Sequence, residues 1–365
     1  MTDIEKRVPD LFTFLSGKKV QTKQEWEGRR QELKTWFIEN VFGSYPLKVE
    51  EGFSFSVLSE RTEGNIKIRR VELKKGSYRS QFWLYLPLGQ KRPPAIIYPV
   101  LRTYESKFDL EHPEVYDTTP SVTTLPLGKI LEEGFAVAAY FVTSAAPDEA
   151  GGELKGLNAE LIKERGPSSA GAIAAWSFYA KRIMDYLIMD GTVDPNRIGM
   201  AGHSRGGKTA LLTAATDERF RFAYVSNSGC TGAALARGNT GETIEAINTA
   251  FPHWFCENYK RYNGREEALP VDFHALCALV APRLLYVTSS SEDAWACPPN
   301  EFASCRLASD VYTRIYGIKG LVAPDAPAPD EAYHEGNVAY HIKTGKHSFD
   351  YSDWLKLMAF LNKKL

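Results

Sequence analysis

A short segment between residues 196 and 210, NRIGMAGHSRGGKTA, constrains the fold more than any other part of the chain. Residues 198–201 are apolar and predict the end of a buried strand, and residues 208–216 predict a helix. Between them, residues 202–206 (GHSRG) match the pattern G-x-S-x-G. A strand, a sharp turn and a helix in this order predict a nucleophile elbow, a turn that holds the serine, here Ser204, exposed.

The residues around Ser204 suit an attacking hydroxyl group. Side chains at the flanking positions Gly202 and Gly206 are expected to collide as the strand and the helix close together. The following helix points its N-terminus at the serine, and the unpaired N–H groups there suit an oxyanion. Arg205 follows directly, so its backbone N–H and its guanidinium are the expected oxyanion donors.

Length and composition indicate one large enzyme domain. The 365 residues are 44% hydrophobic and 24% charged, which is typical of a globular protein with an ample core. The formal net charge of −1 gives no electrostatic case for binding nucleic acid or a membrane surface. We therefore expect a single catalytic domain over residues 1–365, with residues 1–45 as a helical extension packed on it. The expected partner is a small-molecule or oligosaccharide ester, and the oligomeric state stays open.

The periodicity of apolar residues changes along the chain. Residues 22–42 have helical spacing, with Thr22 and Glu25 as a capping box. Residues 51–89 alternate with period two, which predicts antiparallel strands at 53–57, 65–68 and 81–86. Beyond them the predicted strands are 95–100, 135–142, 198–201, 222–226, 283–288 and 340–343. The predicted helices are 127–133, 169–190, 208–216, 275–280, 302–316 and 350–361.

This alternation of helices and buried strands predicts an α/β-hydrolase fold. The sheet should be mixed but mostly parallel, with helices on both faces. The segment from 101 to 121 is long and polar, so we expect a functional loop or a lid there.

A serine nucleophile needs a histidine base and an acid that orients the base. In this fold the order along the chain is serine, acid, histidine. His347 follows the last predicted strand, whereas His341 falls inside that strand and is expected to be structural. Asp293 follows the preceding strand and its serine-rich end, which makes it the favoured acid. Glu292, Asp350 and Asp272 are the alternatives.

Lys208 lies one helical turn beyond Ser204, on the same helix face. A positive charge at a helix start opposes the helix dipole, so this position is better explained by function. We expect Lys208 to face the site and to suit an anionic or polyhydroxyl substrate. No cofactor and no metal are expected, because no clustered set of metal ligands appears.

The cysteines and the N-terminus bear on the location of the protein. The five cysteines are scattered without a C-x-x-C motif, and we expect reduced thiols, with a Cys297–Cys305 bridge as the alternative. The N-terminus lacks the pattern of a signal peptide. These features predict a cytoplasmic protein, unless a leader was trimmed from the sequence.

Several further stretches from about residue 174 onward are similar to carbohydrate esterase family 15, the glucuronoyl esterases and their bacterial relatives. They are GHSRGGKTAL, DERF, NSGCTGAAL, GET with FPHWFC, LPVDFHALCALVAPR, SSSEDAWACP and YHIKTGKH. The resemblance implies an α/β-hydrolase fold and cleavage of glucuronic acid esters, as in lignin–xylan cross-links.

The resemblance also implies roles for individual residues. The family's nucleophile, oxyanion arginine and sugar-binding lysine fall on Ser204, Arg205 and Lys208, and its histidine falls on His347. Its sugar-contacting glutamate and tryptophan match Glu242 and Trp295. A tryptophan face and a carboxylate that accepts hydroxyl groups are suitable partners for a sugar ring.

The chain departs from the family pattern at two positions. Many members carry the acid as a glutamate where this chain has Asn227, and other members use the acid after the later strand, here Asp293. Fungal members carry a cysteine where this chain has His203. The alternative functions are an esterase for acetylated xylan or other sugar esters, and a sugar-binding homologue impaired at Asn227. The last alternative gains if Asp293 cannot reach His347.

Overall fold

The computed structural model describes residues 4–101, 109–112 and 125–365. In these ranges ten strands form one sheet in the order β1-β2-β3-β5-β4-β6-β7-β8-β10-β9. The strands are β1 Ser54–Glu63, β2 Ile66–Lys75, β3 Tyr78–Pro87, β4 Ala95–Val100, β5 Ala136–Phe141, β6 Ile198–His203, β7 Phe222–Ser226, β8 Leu284–Ser290, β9 Ala332–Tyr333 and β10 Val338–Lys343. The helices are α1 Lys23–Phe37, α2 Leu127–Glu132, α3 Gly156–Leu161, α4 Ala172–Asp190, α5 Arg205–Thr216, α6 Ile244–Ala250, α7 His274–Ala278, α8 Pro298–Arg314 and α9 Tyr351–Lys364.

The sheet is mixed, as predicted. Strands β1, β2, β3 and β5 pair antiparallel, and β5, β4, β6, β7, β8 and β10 pair parallel. The parallel strands are buried along nearly their whole length, which is the pattern of a sheet covered on both faces. Two separate clusters of buried apolar side chains account for this burial.

The first helix shows how local sequence sets element ends. Thr22 Oγ1 accepts the Glu25 N–H at 3.1 Å, and the Glu25 carboxylate accepts the Thr22 N–H at 3.2 Å, so the predicted capping box is present. The helix continues as a π-helical turn over Ile38–Phe42 and ends at Gly43, which has φ 92°. The buried Trp26 of α1 belongs to the same apolar cluster as Trp176 of α4.

The predicted elements are confirmed in type, with shifted ends. Predictions from single-residue patterns missed three short elements, namely α3, α6 and β9. Two of these fall in segments rich in polar residues or glycine, where no apolar period exists. The predicted lid over 101–121 lies mostly outside the described residues. In the part of the chain that the structure describes, no helix combines the length and apolar character needed to span a membrane.

The order of the parallel strands positions the site. Strands β6, β7, β8 and β10 are consecutive neighbours in the sheet, and their carboxyl ends meet at one edge. Ser204, Asn227, Asp293 and His347 follow these four strands in turn. Segments far apart in sequence therefore bring their polar side chains to one place, as expected of an open α/β sheet.

Candidate active site

Ser204 occupies a strained turn between a strand and a helix. Strand β6 ends at His203, α5 begins at Arg205, and Ser204 between them has φ 56° and ψ −125°. Its N–H donates to the Ser226 carbonyl of the neighbouring strand at 2.8 Å, which fixes the turn against the sheet. A non-glycine residue at this φ is strained, and such strain is found mainly where function requires it. The geometry is that of the predicted nucleophile elbow.

The two glycines beside this turn differ in their steric environment. A Cβ atom at Gly202 would lie 2.1 Å from the Gly206 carbonyl oxygen, so only glycine fits there. A Cβ atom at Gly206 would approach the side chains of Leu101 and Pro99 no closer than 3.4 Å, which is ordinary contact. The steric prediction is confirmed for Gly202 and wrong for Gly206, because the close approach involves the backbone of Gly206 rather than its missing side chain.

His347 and Asp293 form a direct pair. The distance from His347 Nδ1 to Asp293 Oδ2 is 2.5 Å. The Asp293 side chain is 3% exposed, and its other oxygen accepts the Ala296 N–H at 3.2 Å. Its two oxygens therefore have separate partners, one on the imidazole and one on the backbone. The His347 side chain is 39% exposed, so its second ring nitrogen is available toward the site.

The alternative acids have other partners. Asp350 caps α9 and contacts the Lys343 ammonium at 3.0 Å. Asp272 is buried against Arg237 at 3.1 Å. Glu292 is exposed beside Asp293. His341, expected to be structural, is fully buried and pairs with Asp353 at 2.9 Å. The structure thus brings Asp293, rather than these carboxylates, to His347.

The ring of His203 packs against the base. The ring centroids of His203 and His347 lie 4.5 Å apart. Burial lowers the pKa of His203 well below its ordinary value, and the nearby charges of His347, Lys343 and Arg205 lower it further. His203 is therefore neutral and supports His347 by packing, without competing for the proton.

Arg205 is held by a carboxylate that the sequence did not reveal. Its Nε lies 2.6 Å from Asp148 Oδ2, and its guanidinium lies over the Trp254 ring at 5.7 Å. Asp148 also contacts His253 Nε2 at 3.0 Å and accepts from Trp254 Nε1 at 2.9 Å. Burial would raise the pKa of Asp148, but the His253 hydrogen bond, the Arg205 charge and the Trp254 hydrogen bond together lower it. Asp148 is thus an ionised anchor for Arg205.

Asp148→Asn is expected to lower kcat for ester hydrolysis by about tenfold to a hundredfold, with a smaller effect on KM. The amide is neutral, so it no longer fixes the guanidinium where an oxyanion develops, and a lost oxyanion donor costs 10²–10³ in rate in known cases. Steady-state kinetics beside Arg205→Ala give the measurement. Additive losses in the double variant would contradict a shared role, because residues that act as one unit are not additive.

Lys208, Glu242 and Trp295 form a second connected set. Lys208 is 2% exposed, and its ammonium donates to the carbonyls of Ser228 and Cys230 and to Glu242 Oε2 at 2.8 Å. Trp295 Nε1 donates to the other Glu242 oxygen at 3.0 Å. The three N–H donors of Lys208 therefore already have protein acceptors. Glu242 is held at both oxygens, and its remaining lone pairs can accept hydroxyl groups.

One cavity of about 230 Å³ connects the two sets. Ser204, Arg205, Asp293 and His347 line one part of it, and Lys208, Glu242 and Trp295 another. Sequence reasoning missed an aromatic wall, in which the Phe251 and Trp254 rings stack at 3.8 Å with an interplanar angle of 2°. The motif FPHWFC contains both rings, but spacing alone did not place them.

A larger cavity of about 600 Å³ lies nearby, and none of the predicted site residues lines it. Ser291, Ala294 and Cys297 face it, whereas Asp293 and Trp295 of the same loop face the smaller one. The smaller cavity is the candidate active site because it holds the nucleophile. In the described ranges no group of three or more His, Cys, Asp or Glu side chains could hold a metal ion.

Comparisons with known proteins fit this geometry. The family model described as glucuronyl esterase of fungi matches residues 103–316. The carbohydrate esterase MZ0003, from an unknown prokaryotic organism, is 32% identical over 95% of this chain and 87% of its own length. The chain belongs to the glucuronoyl esterases of carbohydrate esterase family 15.

Solved structures of this family agree with the fold. The glucuronoyl esterase from Solibacter usitatus has a TM-score of 0.87 and 32% identity, covering 97% of both chains. The enzyme from Teredinibacter turnerae has a TM-score of 0.88 and 25% identity, covering 99% of this chain and 90% of its own. The chain spans only 61% of the 4-O-methyl-glucuronoyl methylesterase of Cerrena unicolor, to which it is 28% identical.

Membership in this family corrects the predicted location. The cytoplasmic prediction is wrong, because related glucuronoyl esterases are extracellular enzymes that act on plant polysaccharides. The prediction relied in part on the unpaired cysteines. All five are free and buried in the structure. A buried thiol is shielded from oxidants in any compartment, so free cysteines carried no information on location.

Asn227 stands where many glucuronoyl esterases carry an acid, and the structure shows its contact. Its Nδ2 donates to the Ser348 carbonyl at 3.0 Å, beside His347 in the chain. The side chain thus acts as a hydrogen-bond donor at this position.

A buried carboxyl group, Glu301, supports the cavity wall. It accepts from Ser289 Oγ at 2.6 Å, the Gly229 N–H at 3.0 Å and Ser228 Oγ at 3.1 Å. Burial raises the pKa of Glu301 to about 7, although these hydrogen bonds oppose the rise.

This shift predicts a pH dependence of stability. A raised pKa means that the folded chain binds more protons than the unfolded chain between the ordinary carboxyl pKa of about 4.3 and the folded value. The free energy of unfolding should therefore fall as pH rises toward 7, and this component should vanish in Glu301→Gln. Urea unfolding at a series of pH values measures it. An equal pH slope in both proteins would contradict the assignment to Glu301.

Proposed function

We propose that this chain is a serine esterase that hydrolyses esters of glucuronic acid, with Ser204, His347 and Asp293 as its catalytic groups. The observation that carries the proposal is a strained serine that shares a cavity with a histidine–aspartate pair 2.5 Å apart. Histidine oriented in this way accepts a serine proton, as in other triads.

In the proposed reaction His347 removes the proton of Ser204 Oγ while that oxygen attacks the ester carbonyl. Negative charge develops on the carbonyl oxygen, and the Arg205 guanidinium with the first N–H groups of α5 stabilises it. His347 then gives its proton to the leaving alcohol. Water, activated by the same histidine, hydrolyses the acyl-enzyme and releases the free acid. Asp293 stabilises the imidazolium at each stage.

The remaining part of the cavity suits a sugar ring. Glu242 offers carboxylate lone pairs to hydroxyl groups, and Trp295 offers an aromatic face that is still partly exposed. We propose that Lys208 acts mainly by holding Glu242, because its donors are engaged within the protein. This refines the expectation that Lys208 itself binds the substrate.

A glucuronate ester is the substrate class favoured over the alternatives. Curated fungal relatives, 26% and 28% identical, are named 4-O-methyl-glucuronoyl methylesterases. An acetyl group would place its carbonyl at Ser204 while leaving the Glu242 side of the cavity to the alcohol. The impaired homologue loses its support, because the acid that it would lack is present at His347.

The decisive assay compares benzyl glucuronate with 4-nitrophenyl acetate. The expected result is a higher kcat/KM for the glucuronate ester, together with a raised KM in Glu242→Gln for that ester. Ser204→Ala corrects for hydrolysis by contaminants. A higher kcat/KM for the acetate would favour a general sugar-ester esterase, and no turnover of either would contradict an esterase.

A further inference from the structure

The loop that carries His347 has little packing of its own. Residues 346–348 are exposed, between the buried end of β10 and the start of α9. Its first half is tied to the Asp293 loop, since the Glu292 N–H donates to the Gly345 carbonyl at 2.8 Å. The position of His347 therefore depends on what holds the second half.

The second half is held through one atom, the carbonyl oxygen of Ser348. Lys343 Nζ donates to it at 2.7 Å and Asn227 Nδ2 at 3.0 Å. Both donors are buried, Lys343 at 3% and Asn227 at 2% exposure. They come from different strands, Lys343 from the end of β10 and Asn227 from just after β7. A carbonyl oxygen has two lone pairs, so these donors satisfy it completely.

Lys343 is itself fixed in place. Its ammonium also contacts Asp350 Oδ2 at 3.0 Å and the buried carboxylate of Asp353. Asp353 is fully buried and also accepts the Asp350 N–H at 2.9 Å, while its second oxygen pairs with His341 Nε2 at 2.9 Å. The ammonium has no donor left over and cannot turn away from Ser348 without leaving a buried carboxylate unpaired.

We propose that Lys343 and Asn227 are positioning residues for catalysis, which hold the Ser348 carbonyl and thereby keep His347 in line with Asp293. Neither touches the reacting atoms in this role. The proposal gives Asn227 a function that a glutamate could not supply, because a carboxylate has no N–H to donate to a carbonyl. A chain with its acid at Asp293 is free to use this position as a donor.

The proposal predicts a loss in kcat rather than in KM. A small displacement of a catalytic base costs up to about a hundredfold in rate, while substrate contacts at Glu242 and Trp295 remain. The kinetic effect depends on the proposed function. The position of the His347 ring does not, so a second readout is the low-field proton resonance of Nδ1–H in its hydrogen bond to Asp293. His347→Gln assigns that resonance.

Two variants remove the two donors separately. Asn227→Gly removes the amide at a position with φ 44°, which glycine adopts without strain. Lys343→Met is made together with Asp353→Asn and compared with Asp353→Asn alone, so that no buried carboxylate is left unpaired. Lys346→Met is the matched control, because this lysine is exposed in the same loop.

Each donor variant should lower kcat by about tenfold, with KM within about twofold, and should weaken or shift the resonance. The Lys346 variant should match the parent chain in both readouts. If Asn227→Gly keeps kcat within twofold and an unchanged resonance, or if KM alone rises, the proposal is overturned. That variant also decides the question if the lysine variant does not fold. A changed resonance in a chain that turns over no glucuronate ester would overturn the proposed function and leave the positioning role supported.

Discussion

Ser204→Ala is expected to lower kcat for benzyl glucuronate by about 10⁶, the loss measured when the nucleophile of a serine protease is removed. Alanine keeps the Cβ atom and the φ of 56° that the turn imposes, so only the attacking oxygen is lost. The fold should persist, since the turn is fixed by the Ser204 N–H and not by the side chain. Kinetics and thermal unfolding of both proteins measure the two effects.

Covalent labelling separates this result from a loss of folding. A fluorophosphonate should modify the parent chain once, at Ser204, as peptide mass spectrometry would show, and should leave the alanine variant unlabelled. His347→Gln should remain folded and label slowly, because the serine is present without its base. Labelling of the Ser204→Ala variant at another serine with retained turnover would show that the nucleophile lies elsewhere.

The part of this site that sequence could predict follows from local rules. The elbow at Ser204 is a five-residue pattern in a strand–turn–helix setting, and the chain order then limits the search for a base and an acid. Asp293 and His347 are found because parallel strands deliver their following loops to one edge. The same rule explains why the alternation of helices and strands was sufficient to predict the sheet.

What could not be predicted depends on contacts between distant segments. Asp148 lies 57 positions before Arg205, in a segment whose composition indicates only a loop, and nothing in its neighbours announces a partner. Lys208 shows a second limit. Helical spacing gave its direction toward the cavity, but not the Ser228 and Cys230 carbonyls that surround its ammonium. Side-chain depth is a property of tertiary packing, which periodicity does not encode.

Asp293→Asn is expected to lower kcat by about 10⁴, as the same exchange does in a related triad. The structure supplies the reason in this chain. One carboxylate oxygen accepts the Ala296 N–H at 3.2 Å and the other meets His347 Nδ1 at 2.5 Å. An asparagine must keep its carbonyl oxygen toward the Ala296 N–H, because an amide N–H there would face another donor. Its Nδ2 then faces His347 Nδ1.

That orientation fixes the wrong tautomer of the base. An amide N–H aimed at Nδ1 requires Nδ1 to accept, which puts the imidazole proton on Nε2, where it blocks removal of the Ser204 proton. Glu292→Gln, one residue earlier and exposed, is the matched control and should keep kcat within about threefold, as surface changes do. Both variants are measured with benzyl glucuronate at saturating concentration. If Asp293→Asn keeps kcat within tenfold, the orienting acid is another carboxylate. A large loss in Glu292→Gln would identify Glu292 as that group, because it alone of the alternatives neighbours the His347 loop without a buried partner among the described contacts.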